Sequence, residues 1–420
     1  MMNKLIAVFS RAVCCLPVLL LLHLLSFSFV AQSQEKTDRF LKKLVRRKAD
    51  DQLKMILNHP DSFRYQLIYT KIDRNEKNEP RFRNYYFHAD PSLYFNPASM
   101  VKLPTALIAL EKLNDLQIAG LDRSTPMFTD SGYEKQTAVS VDASSEIGLP
   151  SIGHYIKKVF LVSDNEAYNR LYEFVGQELL NKRLWEMGYH QTRIVRRFVT
   201  MNEEQNRHTN PIRFVKDGRL IYGQPGLYDS MPFDFSRKVM IGNAHFNRED
   251  SLIHEPMDFT THNNFPLEDM QQVLQAALFP QSVPPSKRFR INEADYRFLL
   301  EYMSKLPSQS HYPRYDTAEF FDSYTKFFLF KAGRSKIPEY IQDFNKTGWS
   351  YGFLTDVAYI RDTLNKVEFM LSGTIYTNRD GILNDDKYEY EETGYPFFKK
   401  TGEIIYNYEL KRKRKFKPKF

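Results

Sequence analysis

The chain has 420 residues and a formal net charge of +8 at neutral pH, with 42% hydrophobic and 15% aromatic side chains. That composition excludes a disordered chain, and the length fits one large or two ordinary domains. The excess charge sits at the ends: residues 34–410 carry 50 basic against 51 acidic side chains, which excludes a nucleic-acid-binding face spread across the fold.

Residues 1–33 read as an export signal. Lys4 and Arg11 supply positive charge, the run from Ala12 to Val30 is mostly apolar, and Ala31 and Ser33 offer a small-x-small cleavage site before Gln34. An uncleaved membrane anchor is the alternative, because the run is nearly long enough to span a bilayer. Both cysteines, Cys14 and Cys15, lie inside this segment. A chain beginning at Gln34 therefore has no disulfide, zinc-thiolate or cysteine-nucleophile chemistry. The expected place of work is a bacterial periplasm or the cell exterior.

Residues 37–58 read as a helix, with Phe40, Leu41, Leu44, Leu53, Ile56 and Leu57 recurring near the helical period. Residues 63–72 and 81–87 read as strands of a hairpin joined through Arg74–Pro80. A helix is predicted from Ser99 to about Leu113, and another from Ile152 to Phe174 with a break near Ser163. Residues 211–223 predict a second hairpin, turning at Lys216-Asp217-Gly218-Arg219. Residues 267–278 and 293–306 read as helices, 352–361 and 367–377 as strands, and 393–412 as a last helix. This order predicts an α/β (α+β) fold: an antiparallel sheet split in sequence, covered by N- and C-terminal helices, with an inserted all-helical lobe. The α/β part takes 34–95 and 340–410, the mainly helical part 96–339, and residues 411–420 form a basic tail.

Three short segments carry residues able to do chemistry. In Phe95-Asn96-Pro97-Ala98-Ser99-Met100-Val101-Lys102, Pro97 suits a helix start, and Ser99 and Lys102 share a face one turn apart. A desolvated lysine of lowered pKa can take the proton of a serine nucleophile, and a helix N-terminus offers N–H groups to an oxyanion. The spacing alone is weak, since Ser33/Lys36 and Ser323/Lys326 repeat it and an ordinary exposed helix pair explains most such matches. In Ser163-Asp164-Asn165, Ser163 can relay a proton and Asn165 can hold both Lys102 and a substrate amide. The same three residues also suit a helix N-cap, and Asp164 reads as a loop brace. In Lys346-Thr347-Gly348-Trp349, before the strand that starts at Gly352, Lys346 and Thr347 can bind a substrate carboxylate. Gly348 admits a close backbone approach, and the Trp349 amide can join that of Ser99 as an oxyanion donor. Lys400-Thr401-Gly402 looks like a decoy ahead of an amphipathic helix.

Taken in order, the three segments resemble the signatures of class A β-lactamases and the wider penicillin-recognising serine hydrolases. Met187-Gly188 to Thr192-Arg193 resembles the approach to that family's omega loop, and Thr355-Asp356-Val357-Ala358-Tyr359-Ile360 resembles the strand after its third motif. The resemblance covers most of 37–410. It implies an α/β sandwich with a helical lobe, a cleft between them, and acyl transfer by Ser99 with Lys102, Ser163 and Asn165, with Ser99 and Trp349 amides as the oxyanion hole. It also implies a β-lactam substrate, anchored through Lys346, Thr347 and Gly348, with no metal and no organic cofactor.

Two departures stand out. Phe198 falls where the family's omega-loop glutamate activates the deacylating water, and a phenyl ring cannot be a base. Asn202 matches the water-holding asparagine, and Glu203 is the nearest candidate base, although it and Glu204 also read as solvated loop acids; Glu166 reads as a surface ion-pair partner. Acylation is thus better supported than deacylation. The second departure is added length, around 205–265 and 307–343, read either as a modified cleft roof or as peripheral decoration. Of the ten histidines, His208, His245, His254 and His262 fall in the first stretch without metal-ligand spacing. The basic tail reads as a weak contact to anionic envelope lipid or polymer, or as a frayed terminus. The alternatives to a β-lactamase-like hydrolase are a penicillin-binding-type peptidase or esterase on cell-wall peptides and a non-turnover envelope sensor.

Overall fold

A computed structural model describes residues 35–420; the export-signal reading of 1–33 lies outside the described residues. Among the described residues no helix is long and apolar enough to cross a membrane.

The predicted first helix divides into α1 (Arg39–Lys48) and α2 (Asp51–Asn58). Ala49 is extended, and the Asp50 carboxylate accepts from the Leu53 amide at 2.9 Å, capping a new helix where continuous periodicity suggested one. The strands β1 (Gln66–Arg74) and β2 (Pro80–Phe87) follow as the expected hairpin. A 3₁₀ turn at Ala98–Val101 leads into α3 (Lys102–Leu116). This helix is buried almost all round, as its apolar sequence requires of a central helix. Next come α4 (Ile152–Leu161), α5 (Asn165–Val175), α6 (Gln177–Glu186) and the short α7 (Glu203–Arg207).

The second hairpin is β3 (Ile212–Lys216) and β4 (Arg219–Gln224). Asp217 and Gly218 both have positive φ, the backbone a two-residue turn between twisted strands needs. A smaller hairpin, β5 (Ala244–Phe246) and β6 (Leu252–Ile253), lies in the first long insertion. Helices α8 (Leu267–Leu278) and α9 (Glu293–Ser304) precede three long strands, β7 (Ile341–Ser350), β8 (Phe353–Asp362) and β9 (Val367–Tyr376), and α10 (Tyr395–Lys411) ends the fold.

The main sheet has the order β7-β8-β9-β1-β2 and is antiparallel throughout, split in sequence as predicted. Both faces are covered, which is why β8 and β9 read as nearly continuous apolar runs. Ala358, Ile360, Phe369 and Leu371 face α1, α2 and α10; Val357, Tyr359 and Met370 share a core with the helical middle. Strand β7 was not foreseen. Asp343, Asn345, Lys346 and Gly348 make it look like a loop, yet it is buried along most of its length. Some of its polar groups find partners in the second insertion and in β8. Lys326 Nζ donates to the Asp343 carbonyl at 2.8 Å and to Asn345 Oδ1 at 2.7 Å, and Asp356 accepts the amides of Phe327 and Phe328. Ser323/Lys326, set aside in sequence as a chance match, thus supplies a buried lysine that braces the sheet.

Candidate active site

The turn that presents Ser99 is held in an unusual shape. Ala98 sits in the left-handed region at φ 45°, and its amide donates to Asn96 Oδ1 at 2.8 Å. Ser99 is partly exposed at the floor of a cavity of about 1050 Å³. Gly348 makes the neighbouring contact possible. A Cβ there would lie 2.6 Å from the Pro97 carbonyl and 2.9 Å from the Ser99 amide nitrogen. The glycine therefore lets β7 lie against the nucleophile turn, where the sequence suggested approach by a ligand. Trp349, the next residue, lines the same cavity as Ser99, so the two amides of the expected oxyanion hole belong to abutting segments.

Lys102 opens α3 and is fully buried. Its Nζ donates to the Ser163 carbonyl and to Asn165 Oδ1 at 2.7 Å, and lies 3.4 Å from Ser163 Oγ. All its partners are thus in the 163–165 segment and none is Ser99. Burial first, and the Lys346 charge second, hold its pKa well below the ordinary lysine value. Ser163 is left-handed at φ 62°, and its Oγ accepts from Lys346 Nζ at 2.7 Å. Ser163 therefore sits between two buried amines. Burial brings the Lys346 ammonium down to about 7, against the pull of Asp356. Asp164 is the N-cap of α5, accepting from Ala167 at 2.7 Å, so the brace and the cap are one feature.

Lys346 and Thr347 are buried and do not line the cavity; Trp349 and Ser350 form that stretch of wall. Lys346, expected to anchor a substrate carboxylate, instead bonds Ser163 Oγ and the Thr347 carbonyl. Thr347 Oγ1 is buried without a hydrogen-bond partner among the described residues.

Phe198 stands beside the lysine. Its ring centroid is 5.1 Å from Lys102 Nζ, it packs on Tyr168 at 4.8 Å, and its amide donates to Asn169 Oδ1 at 2.8 Å. Asn202 and Glu203 require correction as water-holder and base. Asn202 caps α7: its Oδ1 accepts from the Gln205 amide at 2.8 Å while Gln205 Oε1 accepts from the Asn202 amide at 2.9 Å. Glu203 is exposed in the first turn of that helix, and neither residue lines the cavity. Glu204 pairs with His208 at 3.2 Å and Glu166 with Arg170 at 2.7 Å. Glu249, Asp258 and Asp386 do line the cavity, and none of them bonds Lys102, Ser163 or Asn165.

The first insertion roofs the cavity through the β5–β6 hairpin and residues 257–263, whereas the second braces β7 and contributes no cavity wall. Arg196, Arg248, His262 and Tyr351 are cavity residues that motif reading missed, because they come from loops with no pattern. Burial, then the Arg196 charge, lowers the His262 pKa to about 3, so its imidazole is neutral at pH 7. Among the described residues no group of three His, Cys, Asp or Glu is arranged to hold a metal ion.

Residues 33–231 match the model of the β-lactamase enzyme family. The fold is β-lactamase-like. The match contains Ser99, Lys102 and Ser163-Asp164-Asn165, while Lys346 and Trp349 lie beyond it and are joined to the others by the sheet. Similar solved structures include a β-lactamase from Xanthomonas campestris pv. campestris, with 13% identity over 87% of this chain and 98% of that one, at a TM-score of 0.48. A class A β-lactamase from Clostridium kluyveri shows 15% identity over 86% and 99%, at 0.45. One from Sphaerobacter thermophilus shows 11% over 87% and 94%, at 0.44. No curated protein matches the sequence.

Proposed function

We propose that this chain is an exported serine hydrolase whose Ser99 is acylated by β-lactams or related amides, and whose acyl-enzyme is released slowly. The observation that carries the reading is the placement of Ser163 between buried Lys346 and buried Lys102, the latter one helical turn from Ser99. Two ammonium groups so close and so dry disfavour each other, so both amines give up a proton more readily than an ordinary lysine. In its neutral form Lys102 takes the Ser99 proton after a small rotation away from Asn165. Ser99 Oγ then bonds the carbonyl carbon, and the oxyanion faces the Ser99 and Trp349 amides. Ser163 passes a proton to the leaving nitrogen as the amide bond breaks, and Lys346 replenishes Ser163.

Hydrolysis of the ester then needs a base for water. Phe198 occupies the place beside Lys102 and supplies none. A second reading, a peptidase on cell-wall peptides, is favoured by the cavity volume, which is at the upper end for small-molecule sites.

Intact-mass measurement of the full chain after a brief exposure to a penicillin, beside Ser99→Ala and a chromogenic cephalosporin assay, tests the proposal. A Ser99-dependent adduct that persists for minutes, with turnover well below one per second, is expected. Labelling equal in Ser99→Ala sinks it. Adduct formation outcompeted by a D-alanyl peptide selects the peptidase reading.

A further inference from the structure

The positive charge is concentrated in two segments distant in sequence. Residues 39–48 and 411–420 carry thirteen of the 59 Lys and Arg and no acid, leaving 44 basic against 51 acidic side chains in the rest of 34–420. The fold brings them together. Phe40 of α1 packs on Tyr408 of α10 at 5.5 Å and on Tyr85 of β2 at 4.7 Å, so the start of α1 meets the root of the tail beside the outer edge of the sheet. Arg81 and Arg83 of β2 are exposed on that edge. The tail is not frayed. Arg412 and Arg414 turn inward to buried Glu409, Arg412 also reaches Asp73, and Lys419 and Asn78 exchange two hydrogen bonds. Pro418 is buried, while Lys413, Lys415, Lys417 and Lys419 all point to solvent. Glu76 and Glu79, at the neighbouring hairpin turn, are the exposed acids closest in sequence to the Asn78 contact.

We propose that this basic face, formed by α1, the β2 edge and the docked tail, binds an anionic lipid bilayer. The tail's two arginines, Arg412 and Arg414, are spent internally on Glu409 and Asp73, so the tail presents lysines, which act as hydrated point charges toward a diffuse negative surface. Two exposed aromatic rings, Phe40 and Phe420, flank the lysines, as suits a headgroup boundary. The orientation follows from where the tail docks on the sheet. The tail docks on the β1–β2 turn through Asn78, and its Phe420 ring lies against Arg361 and Lys366, at the opposite end of the strands from Trp349 and Ser350, so a bilayer held by the tail lysines leaves the cavity pointing away from it.

Co-sedimentation of the full chain with phosphatidylcholine vesicles, and with vesicles containing about 30% phosphatidylglycerol, tests this. The increment due to phosphatidylglycerol is read, so binding through the apolar N-terminal segment cancels. The increment is expected to fall steeply between 50 and 500 mM salt. Each lysine near such a surface is worth about fivefold in partitioning, so K413S/K415S/K417S/K419S loses on the order of 100-fold or more, at unchanged melting temperature. K135S/K216S/K336S/K387S removes the same charge elsewhere on the surface and changes the increment by less than about fivefold. Equal losses in the two variants, or no phosphatidylglycerol-dependent increment, overturns the proposal. Binding of soluble polyphosphate without that increment assigns the face to an anionic polymer and overturns the bilayer. None of these readouts depends on Ser99.

Discussion

Phe198→Glu is the sharpest test of slow release. The Phe198 amide is bonded to Asn169, so the backbone stays in place when the ring is exchanged. A carboxylate near the ring position, 5.1 Å from Lys102 Nζ, interacts with the ammonium by about 3 kcal/mol at an effective dielectric of about 20. That is roughly two pKa units. Two opposite effects follow. The acylation limb of the pH profile moves up by about two units, because Lys102 holds its proton more tightly. Deacylation gains a general base, worth about 10² to 10⁴-fold. Loss of the Tyr168 contact and of apolar burial costs about 2 kcal/mol of stability. The assay is a pulse of penicillin followed by intact-mass decay of the adduct, with Phe198→Leu as the variant that removes the ring and adds no base. Wild type and Phe198→Leu are expected to decay at similar slow rates and Phe198→Glu at least a hundredfold faster. Equal lifetimes for all three, with Phe198→Glu folded, refute the reasoning.

Gly348→Ala places a methyl carbon 2.6 Å from the Pro97 carbonyl. It should cut the acylation rate by at least tenfold through displacement of the oxyanion donors, read by stopped-flow labelling, with a smaller change in melting temperature. Asn202→Ala removes a helix cap and costs about 1 kcal/mol by denaturant melts, while the acylation rate stays unchanged because the residue lies outside the cavity. Lys346 titrates near 7 when folded and at the ordinary 10.5 when unfolded. The unfolded chain therefore binds more protons between those values, and stability rises with pH across about 7 to 10. Lys112 and Lys331, both lowered to about 8 by burial, add to the same rise. A melting temperature that falls from pH 7.5 to 9.5 contradicts it, and Lys346→Met should flatten the slope.

The architecture was largely legible in the sequence. Apolar periodicity, Pro97 at a helix start and Asp217-Gly218 at a turn are local signals, and each element they announced is present within a few residues. The three motifs were legible for the same reason, since each needs only its own few residues. Tertiary structure decided what those residues face. Strand β7 looks like a loop because the partners of its buried Asn345 and Lys346, namely Lys326, Asp356 and Ser163, come from other segments. Burial keeps Lys346 and Thr347 out of the cavity wall that Trp349 joins, and Asn202 is taken up in capping α7. The basic tail read as a loose end because nothing local shows that Glu409 and Asp73 wait for its arginines. A sequence specifies which groups are available and roughly where the backbone turns. Which of them are dry, paired or aimed at one cavity depends on long-range packing, where burial, more than residue type, sets charge and pKa.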